Sequence, residues 1–90
     1  AESVNCMIVR RLSRFDRSFK RIPPYVREDF FEKVKLFEQN PRDPRLHTHK
    51  LQGIHRGALS FYLVDGFRVI FRFAGRDVVE FIDIGLHNIY

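Results

Sequence analysis

The chain has 90 residues, and its 16 Lys and Arg outweigh 11 Asp and Glu to give a net charge of +5. A chain this short forms one domain, spanning 1–90, and buries only about 60–65% of its unfolded surface, which excludes a deep enclosed pocket and favours a surface groove. A single cysteine, Cys6, excludes an intrachain disulfide and fits a reducing compartment, the cytoplasm, while no apolar run approaches the ~20 residues of a membrane-spanning helix. The opening Ala-Glu-Ser-Val-Asn also lacks the charged and apolar regions of a signal peptide. A basic balance of this kind favours phosphate backbones or an acidic protein partner.

Taken in order, residues 4–12 read as a first strand ending in the basic pair Arg10-Arg11. A strand so close to the terminus needs a neighbour in a sheet to be ordered. Ser13 then offers an N-cap, with Asp16 at the reach-back position of a capping box. Phe15, Phe19 and Ile22 follow on one helical face, and Arg14, Arg17, Lys20 and Arg21 on the other. Pro23-Pro24 stops this helix, because the residue before a proline is pushed out of the α region. Pro24 also suits the first position of a second helix. The apolar stripe of that helix is Val26, Phe30, Val34 and Phe37 with Phe31 beside it, and Glu28, Asp29, Glu32, Lys33 and Lys35 face water. Asn40-Pro41 ends it. From Pro41 to Arg56 the chain is loop-like, with two prolines, three histidines and no sustained periodicity.

From Ala58 to Gly85 three runs of β-branched and aromatic residues predict an antiparallel meander. Asp65-Gly66 separates the first two, the signature of a two-residue type I′ hairpin, and Ala74-Gly75-Arg76 separates the second and third. A two-residue turn sets Val64 opposite Phe67, Tyr62 opposite Val69 and Ser60 opposite Phe71 on one face. The other face then pairs Leu63 with Arg68, Phe61 with Ile70 and Leu59 with Arg72. The first face is apolar and receives the helices. The second carries two arginines among aliphatics, either as snorkelling surface side chains or as a cationic site on a rigid floor. The fold class is therefore α+β: an N-terminal strand, a helical hairpin, a three-stranded meander and a short tail.

Few constellations carry chemistry. His47, His49 and His55 invite a metal reading, with His87 as a fourth ligand, but neither a carboxylate pattern nor a cysteine accompanies them, so no metal is expected. Cys6 lies in a strand with no glycine elbow and reads as a small buried apolar residue. No phosphate-cradling glycine loop and no dinucleotide fingerprint is present, so no cofactor is implied. Arg68, Arg72, His87 and Tyr90 remain, with His49, Lys50 and Arg56 from the loop.

Four stretches carry a resemblance: Leu51-Gln-Gly53, Gly57-Ala-Leu-Ser-Phe-Tyr62, Asp65-Gly-Phe-Arg-Val-Ile-Phe-Arg72 and Asp83-Ile-Gly-Leu-His-Asn-Ile-Tyr90. In these, and in its order of elements, the chain resembles the RelE/ParE toxin superfamily of bacterial and archaeal toxin–antitoxin systems. The resemblance implies a RelE-like fold and a cognate antitoxin that wraps and neutralises the chain. One branch, similar to RelE, YoeB, HigB and YafQ, cleaves mRNA in the ribosomal A site. The other, similar to ParE, binds DNA gyrase and is no nuclease. By resemblance to the first branch, Arg68 matches the arginine used on the scissile phosphate, and His87 the C-terminal His or Arg. Tyr90 lies near the place of a terminal aromatic, and His49 resembles a loop histidine of the YafQ type. RelE's lysines on the strand before the hairpin turn have no counterpart, since this chain has Leu59, Phe61 and Leu63 there.

The resemblance favours a ribosome-dependent endoribonuclease that needs no metal. Attack by the 2′-hydroxyl requires the phosphate to be held, its developing charge to be neutralised and two protons to move. An arginine fork binds two phosphate oxygens and stays charged. An imidazole, with an ordinary pKa of about 6.5, serves as acid or base near neutrality. In this reading Arg68, His87, Tyr90 and His49 are catalytic, and Lys50, Arg56 and Arg72 grip RNA. Structural alternatives stand beside these roles: Arg68 pairing with Glu80, Arg72 in a surface ion pair, and His87 capping the last strand.

Overall fold

The computed structural model describes residues 7–51 and 57–86. Among them the β-rich runs form a five-stranded sheet, and the two amphipathic segments lie on one of its faces. The strands are β1 (Ile8–Arg11), β2 (His49–Lys50), β3 (Leu59–Tyr62), β4 (Phe67–Gly75) and β5 (Val78–Leu86). The helices are α1 (Ser13–Phe19) and α2 (Pro24–Gln39). Spatial order in the sheet is β1-β5-β4-β3-β2. β3, β4 and β5 form the expected antiparallel meander. β1 finds its neighbour in β5 and runs parallel to it, with Ile8 opposite Val78 and Arg11 opposite Phe81.

The helices pair as a hairpin. Pro24 occupies the start of α2, as its fixed φ and missing N–H favour. Arg27 Nη1 donates to the Ile22 carbonyl at 2.7 Å and secures the connection between the helices. Ser13 does not cap α1. It is the first helical residue, Leu12 holds the cap position, and no side chain bonds the end. Asp16 instead faces Arg11 at 3.7 Å.

The core lies between the helices and the sheet and is built mainly from phenylalanines. Phe37, fully buried, meets Phe61 of β3, Phe71 of β4 and Phe81 of β5 at ring separations of 5.0, 4.8 and 5.6 Å. Phe15 carries the packing on to Phe30 and Phe81, each at 5.6 Å. The segment expected to be loop contributes too. A short 3₁₀ turn at Pro44–Leu46 drives Leu46 into the core, and His49–Lys50 then adds the edge strand β2 to β3.

The hairpin register corrects the sequence expectation. The β3–β4 turn has three residues, Val64–Gly66, with Leu63 N–H bonded to the Phe67 carbonyl at 2.7 Å. Asp65 and Gly66 do take the expected left-handed conformation, at φ 57° and 79°. The extra residue, Val64, is retained because Asp29 of α2 accepts its N–H at 2.8 Å. Tyr25 of α2 also donates to Asp65 at 2.7 Å. Pairing is therefore Leu59–Phe71, Ser60–Ile70, Phe61–Val69 and Tyr62–Arg68. Because side chains alternate, a slip of one residue exchanges the faces of β3. Leu59, Phe61 and Leu63 join the core, while Ser60 and Tyr62 join Arg68, Ile70 and Arg72 on the face away from the helices.

A second device sets β5. Asp83 opposes Ile70 but Phe81 opposes Phe71, so Ile82 is an extra residue on β5. The bulge reverses the alternation. Ile84 and Phe81 both face the core, and Glu80 and Asp83 both face away. The second turn is Arg76-Asp77, later than Ala74-Gly75-Arg76, because β4 continues to Gly75.

Two predictions follow from this packing. Phe37→Ala should cost about 3–5 kcal/mol, the range for emptying a buried aromatic site, measured by urea unfolding. At the 3₁₀ turn, Asp43 accepts from the Arg45 side chain and backbone N–H, which lower its pKa from 3.8 to about 2. A depressed carboxylate pKa adds stability that is present above 3.8 and is lost as pH falls towards 2. Melting temperatures of wild type and Asp43→Asn should therefore differ at neutral pH and converge over that interval.

Candidate functional site

The face of the sheet away from the helices gathers Arg68, His49 and Arg72 from among the polar groups identified from sequence. Arg68, near the start of β4, has Tyr62 opposite on β3 and Gly85 opposite on β5. Gly85 contributes no side chain to this row. Arg68 is 9% exposed. A guanidinium so far withdrawn from water is costly unless it is paired or hydrogen-bonded. The Leu63–Phe67 hydrogen bond makes that pair the hydrogen-bonded type, so the adjacent Tyr62–Arg68 pair is the non-bonded type, whose side chains approach more closely.

His49 reaches the same face from the sheet edge. It pairs with Ser60, and its ring stands edge-on to Tyr62 at 5.3 Å. His47, in the left-handed conformation at φ 52°, brings its ring to 6.3 Å from Tyr62. His49 Nδ1 lies 2.9 Å from the His47 carbonyl oxygen. A carbonyl only accepts, so Nδ1 carries the proton and Nε2 of the neutral ring carries the lone pair.

The flanking charges are organised by two acids. Glu80 accepts from Arg72 Nε at 2.7 Å and stands 3.7 Å from Arg10. The expected surface ion pair of Arg72 is thus present, with Glu80 as its partner. Asp83, almost fully buried, contacts Arg14 of α1 at 3.0 Å and accepts the Ile84 N–H at 2.8 Å. Arg14 reaches it past the end of β1, which stops at Arg11.

Of the residues named from sequence, Arg68, His49 and Arg72 share this face. Lys50 alternates to the other side of β2, opposite Leu59. Arg56, His87 and Tyr90 lie outside the described residues, and so does Cys6. The two-residue turn expected from sequence puts Tyr62 on the apolar face, and the observed register brings it beside Arg68 instead. The positions of β3 that share a face with Arg68 hold Ser60 and Tyr62, not Leu59, Phe61 and Leu63, and neither is a lysine. Asp-Gly signals a turn without fixing its length, whereas the alternation of Leu59, Phe61 and Leu63 with Ser60 and Tyr62 is the signal that agrees with the observed parity. Among the described residues no group of His, Cys, Asp and Glu could hold a metal ion, and no helix is long and apolar enough to cross a membrane. A broad open groove of about 600 Å³, lined by Tyr25, Glu28, Asp29, Phe31, Glu32 and Val64, shares no residue with this face.

Comparison with solved structures places the architecture. The YoeB/ParE toxin from Agrobacterium tumefaciens superposes with a TM-score of 0.75 at 16% identity, over 90% of this chain and 99% of its own. The chain has the RelE/ParE toxin fold. The archaeal RelE–RelB complex from Pyrococcus horikoshii OT3 gives a TM-score of 0.72 at 15% identity, over 94% of this chain and 99% of the matched one. The intact E. coli RelBE toxin–antitoxin complex gives 0.70 at 20% identity, over 91% and 98%. No family model matches the sequence, and no curated protein matches it by sequence. The RelE/ParE likeness is therefore one of fold, and the side chains on its polar face are this chain's own.

The His49 tautomer is directly testable. At a pH where the ring is neutral, its ¹⁵N shifts should show a protonated Nδ1 and an unprotonated Nε2. The reverse pattern would mean that the bond to His47 is not made.

Proposed function

We propose that the chain is the toxin of a type II toxin–antitoxin system and acts as a ribosome-dependent mRNA endonuclease that blocks translation. The observation that carries this reading is the single row Tyr62–Arg68–Gly85, with His49 packed on Tyr62. A guanidinium, an imidazole with an acceptor nitrogen and a glycine beside them suit a phosphodiester. The shared fold of RelE and YoeB/ParE toxins supports the toxin role, and the two complexes with antitoxins support a protein partner of the same kind here.

In this reading Arg68 binds two non-bridging oxygens of the scissile phosphate through its planar fork and neutralises the charge that develops there. His49 Nε2 takes the proton of the attacking 2′-hydroxyl. The surrounding net charge of +5 draws the chain to RNA through salt-sensitive contacts. His87 remains the second imidazole proposed for the site, and Tyr90 a proposed stacking partner for a base.

Removing one such donor typically costs about 3–4 kcal/mol of transition-state stabilisation, or 10²–10³ in rate. Arg68→Ala should therefore cut message on translating ribosomes about 10²–10³ times more slowly than wild type, read by primer extension. Arg68→Lys should fall between them, because an ammonium keeps the charge but loses the fork. Thermal melting of each variant separates lost chemistry from lost fold. Intact message during induction of the wild-type chain, together with arrested gyrase supercoiling, would replace this reading with the ParE-like one.

A further inference from the structure

We propose that Tyr62 is the proton donor of this site: its phenol protonates the 5′-oxygen as the phosphodiester breaks. The inference rests on the reading of the site as one that cleaves RNA, and it adds a residue that the sequence had placed in the core.

Three observations converge on it. Tyr62 stands directly opposite Arg68 in a close, non-bonded pair, so a phosphate held by the guanidinium lies within the neighbourhood of the phenol. The Tyr62 ring is held edge-on against His49 at 5.3 Å and remains 36% exposed, which makes it both fixed and reachable. Third, the two neighbours divide the proton work by their chemistry. His49 donates through Nδ1 to the His47 carbonyl, which leaves Nε2 as an acceptor. A phenol carries its proton at neutral pH and can give it up, whereas an arginine does not.

The other polar groups of this face have different engagements. Arg72 and Arg10 meet Glu80, and Arg14 meets Asp83. Ser60 is fully buried. Among the described residues, Tyr62 is the exposed hydroxyl that faces the same way as Arg68.

The step balances without a metal or a redox partner. The 2′-oxygen attacks phosphorus and its proton passes to His49 Nε2. The bond from phosphorus to the 5′-oxygen breaks, and that oxygen takes the Tyr62 proton. The products are a 2′,3′-cyclic phosphate and a 5′-hydroxyl. The tyrosinate then recovers a proton from the His49 imidazolium, and both groups return to their starting states.

The test uses the full chain, translating ribosomes and two messages. One message is ordinary RNA. The other carries sulfur in place of the 5′-bridging oxygen at the bond that wild type cuts. A thiolate leaves without being protonated, so it needs no acid. Tyr62→Phe should cut the ordinary message at least about 10²-fold more slowly than wild type, and the sulfur message at close to the wild-type rate. His49→Gln should be slow on both. Wild-type rates for Tyr62→Phe on the ordinary message would overturn the proposal, and so would an equal defect on both messages, which is the mark of a structural role. A wild-type chain that leaves both messages whole would overturn the nuclease reading and this proposal with it.

Discussion

The register of β3 against β4 is the constraint from which the rest of the molecule follows. One residue in a turn decides whether Leu59, Phe61 and Leu63 or Ser60, Tyr62 and Val64 face the helices. Leaving the three large apolar side chains on the polar face would forgo roughly 1.5–3 kcal/mol for each one fully buried. The chain avoids this loss by keeping Val64 in the turn. Asp29 accepts the Val64 N–H, and Tyr25 holds Asp65 in place, so α2 itself stabilises the turn that orients the strand beneath it. Helix, turn and strand parity form one cooperative arrangement.

Phe37 complements this arrangement from the other end of α2. Its ring touches Phe61, Phe71 and Phe81, one residue from each strand of the meander. These three side chains face the same way because β3 has its observed register and Phe71 pairs directly with Phe81, and the bulge at Ile82 lets Ile84 face the core as well. Aromatic packing therefore rewards the same parity that the turn imposes. Agreement between local and tertiary preferences of this sort is what makes a single folded arrangement win over its slipped alternatives.

On the polar face the same two shifts govern electrostatics. The bulge turns Glu80 and Asp83 outward together, where they take up Arg72, Arg10 and Arg14. Exposed ion pairs such as Arg72–Glu80 add little to stability. Their consequence is spatial: Glu80 and Asp83 hold arginines in fixed positions on this face, and Arg68 lies in the row between Tyr62 and Gly85.

Residue pattern alone determined the elements. Prolines at 23, 24 and 41 bounded the helices, the spacing of phenylalanines marked their buried faces, and β-branched runs marked the meander. These signals are local, set by φ restriction and side-chain periodicity. Arg68, Arg72 and His49 were legible as candidates because a charged or titratable residue inside or beside an apolar strand is conspicuous. Tertiary structure decided what stands next to what. The role of Leu46, the strand at His49–Lys50, the pairing of Glu80 with Arg72 and the turn of Tyr62 towards Arg68 all depend on contacts between segments distant in sequence. The physical reason is that the face a strand turns to the core is settled by what packs on it. Burial of Leu59, Phe61 and Leu63 favours the observed parity, and the hydrogen bond from Val64 to an aspartate 35 residues earlier holds the turn that goes with it.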